Sequence, residues 1–145
     1  MKVSTKGRYS LRLLIDLAEH NTGEYIALKE ISERQNISIK YLEQIVNQLS
    51  KAGYLASVRG PQGGYKLTKP PKEYNIGEIL RIMEGSFAPT ACLQDMENQC
   101  GRYNECATIT FWEGLYHVVN EYIDQFTLQD LVDQHLGKGK WDYTI

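Results

Sequence analysis

The chain changes its period after Gly53, and that change limits its fold more than any other feature. Ahead of it, Leu42, Ile45, Val46 and Leu49 recur three or four residues apart, the spacing of one helix face. Behind it, YLASVRGPQGGYKLT alternates and breaks at a centre rich in glycine and proline. RGPQGG holds too many turn formers for the inside of an element, so the stretch reads as strand, turn, strand. A helix that leads straight into a glycine-rich hairpin leaves few architectures open.

The flanking segments narrow the choice. A first helix starts near Ser4 or Thr5, carries Tyr9, Leu13, Leu14, Leu17 and Ala18 at helical spacing, and ends at Asn21-Thr22-Gly23. Tyr25-Ile26-Ala27 fits a short strand. LKEISERQ is a short helix with Leu28 and Ile31 inward, followed by a turn at Asn36-Ile37-Ser38. Ser38 caps a longer helix from Ile39 to about Ala52, and Gly53 closes it. After Pro70-Pro71, NIGEILRIMEG is another helix, with Asn75 and Glu78 spaced as a capping box. Residues 86–105 show no period. A long helix runs from about Ala107 to Gln125, and Thr127 caps a last short helix, LQDLVDQH, before a poorly anchored tail, GKGKWDYTI. The expected fold is mainly α with a small β-hairpin: a winged helix-turn-helix plus a long C-terminal helix. It divides into a winged domain at 1–72, a cysteine loop with dimerisation helices at 73–135, and a tail at 136–145.

Charge divides at the same place. Residues 1–72 carry a balance of +6 and residues 73–145 one of −8, which together return the net −2. Only the first part suits a polyanion. No apolar stretch is long enough to span a membrane, and the N-terminus lacks the apolar core and cleavage site of a signal peptide. We therefore expect a cytoplasmic protein. It has no catalytic pair, phosphate-binding loop or C-x-x-C motif, which argues against an enzyme.

A helix in this setting fits the DNA major groove, with residues near its N-terminus at base edges. Those residues are Ser38, Lys40, Tyr41, Glu43 and Gln44. Lys40 and Tyr41 suit phosphates, Gln44 suits adenine, and Glu43 suits the cytosine amino group. The hairpin supplies Arg59, Gly60 and Pro61 at its tip, where the guanidinium suits a minor groove. Lys66 and Lys69 suit phosphates nearby.

Cys92, Cys100 and Cys106 are the only cysteines, spaced C-x₇-C-x₅-C. In a reducing compartment they point to metal or redox chemistry over disulfides. The spacing is looser than the paired cysteines of structural zinc sites. Three thiolates on a loop suit an iron–sulfur cluster. Free cysteines without metal, and direct thiol oxidation, remain alternatives. His117 lies eleven residues past Cys106, roughly 16 Å along a helix, too far to complete the set. Asp95, Glu97, Glu105, a small thiol or water could supply a fourth ligand.

On the long helix, Trp112, Leu115, Val119, Tyr122 and Phe126 repeat at spacings of three and four. The stripe fits a buried core or a dimer seam. A single winged helix contacts few bases, which favours the dimer.

VRGPQGGYKL, preceded by ISIKYLEQIVNQLSKAGYL, resembles the signature of the Rrf-two family of bacterial transcription regulators. The opening STKGRYSLRLLIDLA and the cysteine cluster before a long helix resemble it too, and the likeness covers roughly residues 1–135. It implies a homodimer joined through the long helix, each winged helix on half of a palindromic operator in double-stranded DNA. It places Ser38, Lys40, Tyr41, Glu43 and Gln44 on the recognition helix and Arg59, Gly60 and Pro61 in the wing. Relatives often have a small polar residue at the position of Lys40. It also implies that Cys92, Cys100 and Cys106 hold an iron–sulfur cluster. Some cluster-binding members add a histidine three residues after the third cysteine, where this chain has Ile109. Others use an acidic residue near the N-terminus of the partner subunit, where this chain has Arg8 and Arg12. The function expected is a regulator, such as a repressor, that senses cluster or redox status. The alternatives are a cluster-free regulator controlled by thiols, a metabolite or a partner protein, and, from another class, an iron–sulfur carrier or small redox protein.

Overall fold

The computed structural model describes residues 2–95 and 97–141. Among them the order is α1 (Thr5–Glu19), α2 (Leu28–Gln35), α3 (Ile39–Lys51), β1 (Leu55–Val58), β2 (Gly64–Leu67), α4 (Ile76–Glu84), α5 (Ile109–Asp124) and α6 (Leu128–Trp141). Short 3₁₀ turns lie at Pro71–Glu73, Ala91–Leu93 and Tyr103–Glu105.

The elements begin and end where local chemistry dictates. Ser4 caps α1 by accepting the Gly7 N–H at 3.2 Å, and its own N–H donates to Glu84 at 3.0 Å. The start of α1 is thereby tied to the end of α4. Between α2 and α3, Asn36 takes a left-handed φ of 54°, a conformation asparagine tolerates better than most residues. At the end of α3, Gly53 N–H bonds Ser50 O at 3.0 Å and Tyr54 N–H bonds Leu49 O at 2.9 Å. This pair of bonds satisfies the last carbonyls and turns the chain into β1.

Leu13, Leu14 and Leu17 of α1, Ile31 of α2, Leu42, Ile45 and Leu49 of α3, Ile79 of α4 and Leu128 of α6 are all at most 1% exposed. The helical faces read from the sequence are therefore the faces that meet. One core joins them, and Val132 carries it along α6 against α1.

Three local expectations change. Tyr25-Ile26-Ala27 is not a full strand: only Ile26 pairs, exchanging bonds of 2.9 and 2.8 Å with Tyr65. The Asn75 capping box forms by half. Asn75 accepts the Glu78 N–H at 3.0 Å, but the Glu78 carboxylate takes the Tyr54 hydroxyl at 2.9 Å instead of reaching back. Thr127 does form the reciprocal pair, with Asp130, at 2.8 and 3.2 Å. The helix it caps is longer than expected and runs on through Gly137 to Trp141, so the supposed tail is helical to that point. A helix already propagating adds residues at low cost, and glycine subtracts only about 1 kcal/mol where proline would break it. Residues 142–145 lie outside the described part.

Candidate nucleic-acid interface and cysteine loop

The recognition helix is presented by a charge buried behind it. Asp16 of α1 is 1% exposed and accepts two hydrogen bonds from Arg34, at 3.0 Å from Nε and 2.7 Å from Nη2, and one from Gln35 at 2.9 Å. Burial pushes the Asp16 carboxyl up, but the bonds from Arg34 and Gln35 and the Arg34 charge outweigh it and hold it below its ordinary value. The network clamps the last turn of α2, and so the turn into α3, onto α1. Sequence reasoning missed it. Its one signal was an aspartate inside the apolar run LLIDLA.

Ser38 caps α3 by accepting the Tyr41 N–H at 3.2 Å. Lys40, Glu43 and Gln44 are exposed, while Leu42, Ile45, Val46 and Leu49 face the core. Tyr41 is half-buried and meets Tyr9 edge to face, with ring centroids 5.6 Å apart. Arg12 in turn lies over Tyr9 at 5.0 Å. The open side of α3 therefore carries the five expected residues, with an α1 aromatic bracing one of them.

In the hairpin, Leu55 pairs with Leu67 and Val58 with Gly64. The tip turns through Arg59, Gly60, Pro61 and Gln62, and Gly63 N–H closes it on Gly60 O at 2.9 Å. Gly60 has a φ of 112°, which a side chain would resist. At Gly64 a Cβ would collide with the Ile26 carbonyl, so the close pass of that segment requires glycine. Arg59, Gly60 and Pro61 are exposed. Lys66 stacks on Tyr25 at 4.5 Å, and Lys69 on Tyr54 at 4.9 Å, so both cations are partly held by aromatic faces. The base of the wing is pinned by buried Tyr74, whose hydroxyl donates to Tyr54 O at 2.5 Å and accepts the Thr68 N–H at 3.0 Å. Burial and the neighbouring Glu78 push the Tyr54 phenol up to about 12.

The cysteines sit between α4 and α5. Cys92 lies on a 3₁₀ turn with its Sγ 3.1 Å from Thr90 Oγ1. Cys100 is exposed, and Cys106 lies three residues before α5 with its Sγ 3.7 Å from Thr108 Oγ1. The N–H and hydroxyl of Thr108 lower the Cys106 thiol, helped by the Ile109 N–H and the Arg102 charge. All three are free thiols. Among the described residues no three histidine, cysteine or acidic side chains gather as a metal-holding group. The histidines pair elsewhere: His117 with Glu121 at 3.1 Å, His20 with Asp16 and His135 with Glu19.

None of the 16 residues of α5 is buried. Val119 and Phe126, expected on the seam, are half-buried and pack against the chain's own core. Trp112 and Leu115 are half-buried, and Tyr122 is 62% exposed. The open stripe also includes Phe111 at 66% and Val118 at 61%, neither of them among the five expected seam residues. Phe111, Leu115, Val118 and Tyr122 follow the same spacing in a neighbouring register, so periodicity alone could not choose between them.

A helix-turn-helix with one open face, flanked by a glycine-tipped hairpin, defines a winged-helix DNA-binding protein. The family model Rrf2, described as an iron-dependent transcriptional regulator, matches residues 3–134, and the chain belongs to that family. It is 38% identical over 133 residues to protein rrf2 of Nitratidesulfovibrio vulgaris, covering 91% of this chain and 87% of that one. It is likewise 38% identical over 133 residues to the HTH-type transcriptional regulator IscR of Yersinia pseudotuberculosis, with 92% and 80% covered. Among solved structures, CymR, the global cysteine regulator of B. subtilis, matches with a TM-score of 0.74 at 34% identity, covering 92% of this chain and 98% of that one. IscR of T. potens matches with a TM-score of 0.72 at 37% identity, covering 93% and 88%. The protein is a DNA-binding transcriptional regulator of this type and not an enzyme. No described helix is long and apolar enough to cross a membrane.

Proposed function

We propose that the protein works in the cytoplasm as a homodimer on a palindromic operator, and that Cys92, Cys100 and Cys106 report iron–sulfur or redox status to it. The observation that carries this reading is α5, a helix of 16 residues with none buried and an apolar stripe of Phe111, Leu115, Val118 and Tyr122. Such a stripe is unstable in water and suits an equivalent stripe on a second copy. Two copies would present two α3 helices to successive half-sites.

In each half-site, Lys40 and Tyr41 hold phosphates, Gln44 and Glu43 read base edges, and Ser38 fixes the helix start that aims them. Arg59, carried out by Gly60 and Pro61, enters the adjacent minor groove. Arg59→Ala lowers operator affinity by about 1–3 kcal/mol and leaves the cysteine loop unchanged. Fluorescence anisotropy with a labelled operator reads the loss, and undiminished affinity would remove Arg59 from the interface.

The donor set fits an iron–sulfur cluster in kind: three free thiols, with the Cys106 thiol held below its ordinary value by Thr108. Cys92, Cys100 and Cys106 would hold the cluster, which supplies a group that oxygen, nitric oxide or chelation can destroy. The chain's own part is to join that loop directly to α5, so that a change at Cys106 reaches the dimer helix. Ile109 cannot ligate, which favours a labile fourth position. A second reading, control through the thiols without a cluster, is supported by the likeness to CymR, a cysteine regulator. Purification without oxygen separates the two. Absorption bands between roughly 320 and 600 nm, with matching iron and acid-labile sulfide, are expected. A colourless protein that resists reconstitution would leave thiol control standing.

A further inference from the structure

Between α1, α2 and α6 lies a cleft of about 570 Å³, a size usual for small-molecule sites. One wall is apolar, from Leu11, Ile15 and Leu131, and the rim carries Arg12, Arg34 and His135. Among the described residues no carboxylate lines it: Asp16 and Glu19 stand behind the basic groups and orient them. Each of those groups keeps a donor in reserve among the described residues. Arg34 commits Nε and Nη2 to Asp16, Arg12 commits Nε and Nη2 to Gln35, and His135 commits Nδ1 to Glu19. The result is a trough with a cationic rim and an apolar wall.

We infer that this trough is an effector site for a small amphipathic monoanion, with a carboxylate at Arg12 and Arg34 and an aliphatic or aromatic body along Leu11, Ile15 and Leu131. A carboxylate can accept a charge-assisted bond from the uncommitted Nη1 of each arginine, and an apolar body gains by leaving water. The site lies beside the DNA-reading machinery. Arg34 and Gln35 form the last turn of α2, from which Asn36 leads into α3. An anion on the Nη1 of Arg34 shares the guanidinium with Asp16 and so shifts the seat of the recognition helix. By linkage, operator DNA and the anion then alter each other's affinity by the same factor.

The test is titration calorimetry on the full-length protein without DNA, using octanoate and phenylacetate as probes and octan-1-ol as the neutral control. Binding of at least one carboxylate, and weaker binding of the alcohol, is expected. Arg12→Gln should weaken the carboxylate by about tenfold or more, the worth of one charged hydrogen bond. Gln134→Glu keeps the shape of an exposed side chain, adds a carboxylate to the rim, and should weaken it at least as much. Circular dichroism checks that both variants stay folded. The inference is overturned if neither carboxylate binds at millimolar concentration, if the alcohol binds equally well, or if both variants bind like the parent protein. Because DNA is absent, none of these outcomes bears on operator recognition.

Discussion

Leu115→Asp and Val118→Asp each convert the protein to a monomer and lower its affinity for a two-half-site duplex by at least about a hundredfold, the scale of avidity lost when two linked contacts become one. Both side chains lie on the open stripe of α5, so each substitution places two carboxylates across a two-fold seam. Isolated α5 residues on the opposite, polar face supply the control: His117→Asp stays dimeric. Val119→Asp behaves differently from its neighbour. Val119 packs against the chain's own core, so this change lowers the melting temperature, while Val118→Asp leaves the monomer folded. Sedimentation velocity and thermal melts on the four variants separate the effects. A dimeric Val118→Asp variant would move the seam off this stripe.

Arg34→Met costs about 3–5 kcal/mol of folding stability, the usual result of stranding a buried charge. That is a large share of the total for a domain of this size. Asp16, 1% exposed in the parent protein, is left with only the Gln35 bond and the nearby His20 ring to compensate it. Asp16→Asn costs less, because the Arg34 side chain left behind is 33% exposed and finds water. The pH dependence fixes the sign. In the parent protein Asp16 is held below its ordinary value of 3.8, so its contribution is fully present above that pH and is lost as pH falls through the lowered value. In Arg34→Met, burial dominates and raises it, so the deficit is largest near neutrality and shrinks on acidification. Urea unfolding at a series of pH values measures this. A deficit independent of pH would show that Arg34 acts through packing alone.

Much of the fold was legible because its signals are local. Ser4, Ser38 and Asn75 cap helices, the glycines of RGPQGG turn a hairpin, and Leu42, Ile45, Val46 and Leu49 mark a buried face. The open side of α3 followed from that face by subtraction. What escaped depends on contacts between distant residues. Asp16 meets Arg34 and Gln35 only after α1 and α2 pack, and Glu78 abandons its capping role because Tyr54 happens to arrive beside it. The α5 stripe escaped for a different reason. Two apolar registers overlap on one helix, and only the placement of α4 and α6 decides which is covered by the chain itself. The cysteines were legible as a donor set but not as a geometry, since residues 86–105 follow no period.

The central claim, a dimer that reads a palindrome through α3 and the wing, is tested most directly by selecting bound duplexes from a random pool with the purified protein. The selection is run on protein kept without oxygen and repeated after oxidation, since either state could be the binding form. The account predicts an enriched inverted repeat whose half-sites lie about one helical turn apart or a multiple of it. Its affinity falls steeply as salt rises and collapses with Leu115→Asp. Enrichment of a single, asymmetric site bound equally well by the monomeric variant would contradict it, as would no enrichment in either state.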